Sequence, residues 1–341
     1  MTELSLLHAV EIPFGSLTDF HLVTSSTGPL LVGTHPDGAC TWDPLRDRWA
    51  VHRLDSPWQP GEEDGPAAPS KLRALVVDGR IVVGGGSDGL RFAQWDLDSG
   101  AVRVFADHDD FDVDSVGTLD LPGRSLFLVS PEAEAVALWD IVGGTGERTA
   151  ELNARCDRTA ATGMLDHRPV LVNRDEDGHG IQVWDLNDRA RLVVFDDELE
   201  TEEGEESLLA VGLATVGGRP RVVAAGVYGS VVLGDIDCGE WGDPFAGSEP
   251  HDEDETDVLV DTGTANGVPI AVTCTYDPYP APDFTSVLRA WNLEGGHALG
   301  GPVAAHEGGA LGIQLTELDG RTVAVTVGRG DASVRVWALD R

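Results

Sequence analysis

Apolar residues fall in short runs along this chain, such as Ile81-Val82-Val83 and Val323-Ala324-Val325, and each run is preceded by turn-forming residues. No segment holds a 3.6-residue period over ten or more positions, so the pattern predicts strands and no helix. The turns read Thr27-Gly28-Pro29, Asp78-Gly79-Arg80, Pro122-Gly123-Arg124, Asp166-His167-Arg168-Pro169, Gly218-Arg219-Pro220, Asn266-Gly267-Val268-Pro269 and Asp319-Gly320-Arg321. Asp-Gly and Asn-Gly between apolar runs are strong hairpin signals, because a two-residue turn of the right twist needs positive φ, which glycine supplies without steric cost. The elements predicted are therefore turn-linked antiparallel strands.

A second signal repeats in step with the first. Strand-like runs end in Trp42-Asp43, Trp95-Asp96, Trp139-Asp140, Trp184-Asp185, Trp291-Asn292 and Trp337-Ala338, with Gly234-Asp235 as a member that has lost its tryptophan. The seven anchors lie roughly 45 to 55 residues apart, a period that denotes a repeat architecture. Repeats of this length, with four strands and a terminal Trp-Asp, resemble the WD-repeat (WD40-type) family of β-propellers, and the resemblance covers essentially the whole chain. It implies an all-β fold, a seven-bladed β-propeller of four-stranded antiparallel blades.

On that reading residues 1–341 form one propeller, with blades at 14–56, 70–107, 114–154, 157–197, 207–246, 257–304 and 307–341. The last blade stops after its third strand. Residues 1–13, with the run Leu6-Leu7-His8-Ala9-Val10-Glu11-Ile12, form a strand without a partner of its own, and by resemblance they supply the outer strand of blade 7.

Composition narrows the function classes. A hydrophobic content of 41% suffices for a packed core, whereas 59 Asp and Glu against 23 Lys and Arg leave a net charge of −36. Nucleic acid and anionic membrane surfaces are excluded as partners, since both are bound through Lys and Arg. Lys71 is the only lysine, an arginine bias of the kind found in GC-rich bacterial genomes. No signal peptide or membrane-spanning run is present, so a soluble, cytoplasmic and monomeric protein is expected. Cys40, Cys156, Cys238 and Cys274 are scattered, as buried thiols would be, with no metal-binding or redox spacing. Mapped on the family's loops, most carboxylates fall on one face, including Asp107 to Asp114 and the run Asp196 to Glu206. Many arginines, Arg46, Arg80, Arg124, Arg168, Arg219 and Arg321 among them, fall on the opposite turns. A two-faced charge distribution of this kind steers cationic partners.

The resemblance also implies a buried chain of hydrogen bonds in the last blade, through His306, Thr326, Asp331 and Trp337, with one extra residue between the threonine and the aspartate. His108 stands at the same distance before its tryptophan but has Ala133 where the aspartate belongs. Such groups stabilise a blade and do not catalyse. Gly85-Gly86-Ser87-Asp88-Gly89 has the letters of a nucleophile elbow without the helix that must follow. Calcium is the metal that the acidic runs would suit, but Asp107 to Asp114 and Asp175 to Gly180 both lack the glutamate that completes a helix-loop-helix site. No cofactor is expected, beyond a weak surface calcium ion.

The sequence thus points to a non-enzymatic interaction platform that presents an acidic face to a basic protein or peptide. Its anchoring candidates are the loop aromatics Trp58, Phe111, Tyr228, Tyr276, Tyr279 and Phe284, with Asp109 and Asp110 beside them, since binding energy concentrates in aromatic side chains. The alternative is a propeller enzyme of hydrolase, lactonase or lyase type, with a site at the channel mouth drawn from His108, His251, His306 and the proline-rich insertion Tyr276 to Phe284.

Overall fold

The computed structural model describes residues 3–57, 68–87, 90–104, 113–121, 123–131, 136–143, 145–148, 160–175, 180–201, 204–227, 229–245, 257–276 and 284–340. All regular structure among them is strand. After β1 (Glu3–Glu11), blade 1 comprises β2 (Phe20–Ser25), β3 (Gly28–His35), β4 (Gly38–Asp43) and β5 (Arg48–Arg53). Blade 2 follows as β6 (Lys71–Val77), β7 (Arg80–Ser87), β8 (Leu90–Asp96) and β9 (Val102–Val104). Blade 3 has β10 (Val113–Leu121), β11 (Arg124–Pro131), β12 (Ala137–Asp140) and β13 (Thr145–Arg148). Blade 4 has β14 (Ala161–Leu165), β15 (Arg168–Arg174), β16 (Ile181–Asp185) and β17 (Ala190–Phe195).

Blade 5 begins with an added strand, β18 (Glu198–Thr201), followed by β19 (Gly204–Val216), β20 (Arg219–Gly226), β21 (Val231–Asp235) and β22 (Glu240–Trp241). Blade 6 comprises β23 (Asp257–Ala265), β24 (Val268–Tyr276), β25 (Thr285–Asn292) and β26 (His297–Glu307). Blade 7 has β27 (Ala310–Leu318), β28 (Arg321–Gly328) and β29 (Ser333–Asp340), and β1 completes it in the order β1-β29-β28-β27. Seven consecutive antiparallel meanders, the last completed by the N-terminal strand, are the strand topology of a seven-bladed β-propeller.

The chain divides into two compact units, Leu17–Asp157 with blades 1 to 3, and Met1–Ser16 together with Arg158–Arg341 with blades 4 to 7. Inside each unit, neighbouring blades enclose a separate apolar cluster. Leu72, Val83 and Trp95 anchor the one between blades 1 and 2, and Phe92, Phe127 and Trp139 the next. In the other unit Val172, Phe195 and Val222 join blades 4 and 5, while Leu259, Ile270 and Trp337 join blades 6 and 7.

The hairpins between first and second strands use the turns read in the sequence. Asp78 and Gly79 have φ of 50° and 77°, Asn266 and Gly267 52° and 78°, and Asp319 and Gly320 51° and 72°. Both central residues are left-handed, the type I′ arrangement that matches strand twist.

The aspartate after each tryptophan has a local task. Its Oδ1 accepts backbone N–H groups that open the next hairpin: from Ser99 to Asp96 at 2.9 Å, from Gly143 to Asp140 at 2.8 Å, and from Asn187 and Asp188 to Asp185 at 2.8 and 3.0 Å. Asn292 does the same for Glu294 and Gly295, which explains why asparagine serves in blade 6. At Ala338 the neighbouring strand of the sheet is β1, so no turn has to be opened there to supply it. Three of these aspartates, and Asp235 after Gly234, also hold the arginine at or near the start of the preceding strand, in the pairs Arg80–Asp96, Arg124–Asp140, Arg168–Asp185 and Arg221–Asp235. The arginines expected to form a basic face are thus partly spent on neighbouring carboxylates.

Candidate functional site

The most connected group of polar side chains lies in blade 7. Thr326 on β28 faces Arg335 on β29, and Trp337 stands two positions further along β29. The Trp337 indole donates to Thr326 Oγ1 at 2.9 Å, and that hydroxyl also bonds His306 Nε2 at 2.8 Å. His306 Nδ1 reaches both Asp331 carboxylate oxygens at 3.1 Å, and Asp331 further accepts from the Ser333 hydroxyl at 2.9 Å and from Arg335 at 3.0 Å. Burial alone would raise the Asp331 carboxyl, but the hydrogen bond and charge of His306, with Ser333 and Arg335, hold it below the ordinary aspartate range. His306 and Thr326 are buried. A histidine, a serine and an aspartate in contact could suggest a nucleophilic triad, yet the second imidazole nitrogen is committed to Thr326 in the core. The arrangement can brace a blade and offers no base to a substrate.

Blades 1, 2, 3 and 6 each satisfy their tryptophan in their own way. Trp291 donates to Thr273 Oγ1 at 3.0 Å, Trp139 to Gln94 Oε1 at 2.6 Å, Trp95 to the Asp55 carbonyl at 2.9 Å, and Trp42 to Asp47 Oδ1 at 3.1 Å. Blade 5, whose anchor is Gly234, recovers the missing ring from the adjacent strand. Trp241 pairs with Gly234 across β21 and β22 and stacks on Phe195 at 4.5 Å. A Cβ at Gly234 would lie 2.6 Å from Phe195 and 2.7 Å from Trp241, so the glycine makes room for the transplanted indole. The paired change Gly234 and Trp241 was visible in the sequence, but only strand register connects the two.

The acidic run at Asp196 to Glu206, expected as a loop, contains a β-hairpin. Glu198 pairs with Ser207, Leu199 with Glu206, Glu200 with Glu205 and Thr201 with Gly204. Alternation explains its order: Asp196, Glu198, Glu200 and Glu205 are exposed, whereas Asp197, Leu199 and Glu206 are buried. The base is fastened by the Trp241 indole on the Asp196 carbonyl at 2.7 Å, by Arg174 on Asp197 at 2.9 Å, and by the Leu208 N–H on the Asp197 carbonyl at 2.7 Å. Glu206 accepts from the Ser230 N–H at 3.3 Å. Glu200 and Glu205 stand directly opposite one another, which weakens a sheet by a few tenths to about 1 kcal/mol.

Of the aromatic anchors, Trp58, Phe111, Tyr228 and Tyr279 lie outside the described residues, as do Asp109 and Asp110, and so do His108 and His251. Tyr276 ends β24, and its side chain is outside the description. Phe284 is half-buried, with its carbonyl accepting from the Gly308 N–H at 2.7 Å and its ring beside Gly309. The structure therefore joins His306, Thr326, Asp331 and Trp337 in one network. Among the described residues there is no group of three His, Cys, Asp or Glu side chains placed to hold a metal ion.

Burial sets the other titrations. His21, bonded through Nδ1 to Ala74 O at 2.9 Å, is pushed down to about 3 by burial and by Arg73. The thiols of Cys40 and Cys274 are pushed up to about 12, chiefly by burial, and are unreactive, while Cys238 is exposed. No helix among the described residues is long and apolar enough to cross a membrane. Compared with known proteins, the chain matches no protein-family model and no curated protein.

Proposed function

We propose that this chain is a WD-type repeat protein that acts without catalysis, as a platform for a basic protein or peptide. The WD assignment rests on the hydrogen-bond network of blade 7 and on the turn-opening aspartates, which join the repeat's sequence signature to a physical task. The platform reading is carried by the anchored hairpin at Glu198 to Ser207. Its outward carboxylates Glu198, Glu200 and Glu205 have no cationic partner among the described residues. An isolated solvated loop would not require the ties that Trp241, Arg174 and Leu208 provide. A fixed array of like charges raises the local concentration of cationic partners, over a range of ~8 Å at physiological salt.

The test is retention of proteins from the native host on the immobilised chain at low and at high salt, alongside a Glu198→Gln, Glu200→Gln, Glu205→Gln variant. A basic protein should be held at low salt, released at high salt and held less by the variant. No cationic protein retained at low salt, or equal retention by the variant, overturns the reading.

A further inference from the structure

Blade 4 repeats the register of blade 7 with different side chains. In blade 7, Ala324 pairs with Trp337 and Thr326 with Arg335; in blade 4, Leu171 pairs with Trp184 and Asn173 with Gln182. Asn173 thus occupies the position of the threonine hydroxyl, and Gln182 that of the arginine. Because Asn173 and Gln182 are directly opposed and Trp184 lies two residues beyond Gln182, all three stand on one face of β15 and β16.

All three are enclosed, with 1%, 2% and 9% of their surfaces exposed. Three of their polar atoms lack a protein partner, namely Asn173 Oδ1, Gln182 Oε1 and Trp184 Nε1. The orientation of both amides is fixed by their other ends. Asn173 Nδ2 donates to the Arg174 carbonyl at 3.0 Å, and Gln182 Nε2 donates to Asp175 Oδ2 at 2.5 Å. Turning either amide over would set a carbonyl oxygen against an acceptor, so the two outward oxygens are real acceptors. Leaving three such groups unpaired would cost a folded protein dearly, since buried polar groups are almost always bonded.

We infer that blade 4 encloses a binding site for one water molecule, held by Trp184, Asn173 and Gln182. The stoichiometry fits water and no other small species. The indole N–H requires an acceptor and the two amide oxygens require donors; water accepts one hydrogen bond from Trp184 and donates one each to Asn173 and Gln182. A metal cation would be repelled by the N–H, and an anion by the two oxygens. Three hydrogen bonds are the usual complement of a buried water. The molecule takes the part that the Thr326 hydroxyl takes in blade 7, accepting from tryptophan and continuing the chain.

A crystal structure of the full chain at about 1.8 Å or better tests the site directly. One peak at hydrogen-bond distance from Trp184 Nε1, Asn173 Oδ1 and Gln182 Oε1 is the expected result. An empty site, an indole turned onto a protein acceptor, or a peak at metal-ligand distance overturns the inference. A solution measurement covers the same ground, because the Trp184 indole proton should show a magnetisation transfer to a long-lived water. Asn173→Thr places a hydroxyl where the indole can reach it and should abolish that transfer with Tm unchanged or raised by about 2 °C. Transfer that persists in the folded variant would show that the water signal arises elsewhere and would overturn the assignment, and the wild-type map decides if the variant does not fold.

Discussion

Blades 4 and 7 share one strand register but not one chemistry. In blade 7 the tryptophan, threonine, histidine and aspartate close a chain in which every named group has a protein partner. In blade 4 the tryptophan keeps its place while Asn173 and Gln182 leave three atoms without protein partners. Blade 5 goes further, losing the tryptophan at Gly234 and drawing Trp241 from the next strand into its slot. The Trp-Asp signature is therefore two devices. The aspartate, or asparagine in blade 6, opens a turn through its own Oδ1 where a hairpin follows. The tryptophan fills a volume, and any ring that reaches the slot will serve.

The largest test of the comparison removes the strand that only blade 7 borrows. Deleting residues 1–13 strips β1 from β29 and uncovers the edge carrying Val334, Val336 and Trp337. Melting by circular dichroism should fall by about 10 °C or more, since an exposed apolar edge also invites association; an unchanged Tm would mean that β1 contributes nothing. Next comes Thr326→Val, which strands the buried His306 Nε2 and Trp337 Nε1 together. At about 1–3 kcal/mol for each orphaned group, urea denaturation should show a loss of about 2–6 kcal/mol. Thr273→Val orphans the Trp291 indole and otherwise removes just the long contact of Thr273 with the Arg289 carbonyl at 3.5 Å, so it should cost about half as much. Equal losses would break the distinction between a network and a single bond.

A smaller effect concerns the seam between blades 6 and 7. Asp261 on β23 accepts from the Leu315 N–H of β27 at 2.6 Å and from the Thr262 N–H at 2.8 Å. Burial pushes its carboxyl up to about 6, against the pull of those two bonds. The residue as a whole retains some solvent exposure, which discounts the energy. Below about pH 4 both folded and unfolded chains hold this proton. Between about 4 and 6 the unfolded chain releases it first, so stability falls as pH rises and the loss is complete above the folded value. Asp261→Asn should therefore gain on the wild type by about 1–2 kcal/mol between pH 4 and pH 7. A difference that does not move with pH would refute the assignment. Smallest of all is Arg124→Ala, whose partner Asp140 is partly exposed. The change should stay under about 1 kcal/mol, while Asp140→Ala, which also loses the turn at Gly143, should exceed it in the same denaturation series.

The blade count and the turns were legible because each repeats, and a repeat averages away the ambiguity of any single run; the borrowed strand followed from them, whereas the added strand β18 of blade 5 did not. The blade 7 residues were legible through the family resemblance, and the extra position between Thr326 and Asp331 does not part them, because Asp331 sits in the turn and reaches back to His306. What escaped sequence reading depends on pairing between distant segments. Trp241 substitutes for the ring missing at Gly234 only once β21 and β22 are in register. The run Asp196 to Glu206 reads as solvated charge, since the alternation of Asp197, Leu199 and Glu206 toward the interior is masked by acidic residues on both faces. The arginines at Arg80, Arg124 and Arg168 gave no sign of pairing with aspartates one strand away.

The pairing of β1 with β29 sets a clock on biosynthesis. Glu11 must find Ser333, so β1 waits through the synthesis of β2 to β28 before β29 gives it a partner. At about 5–20 residues per second, that interval is on the order of tens of seconds. Throughout it, Leu6 and Leu7 belong to an unsatisfied strand, and blade 7 cannot form. A chain stalled before β29 holds β1 unpaired, a state that quality-control proteases and chaperones can read as unfinished.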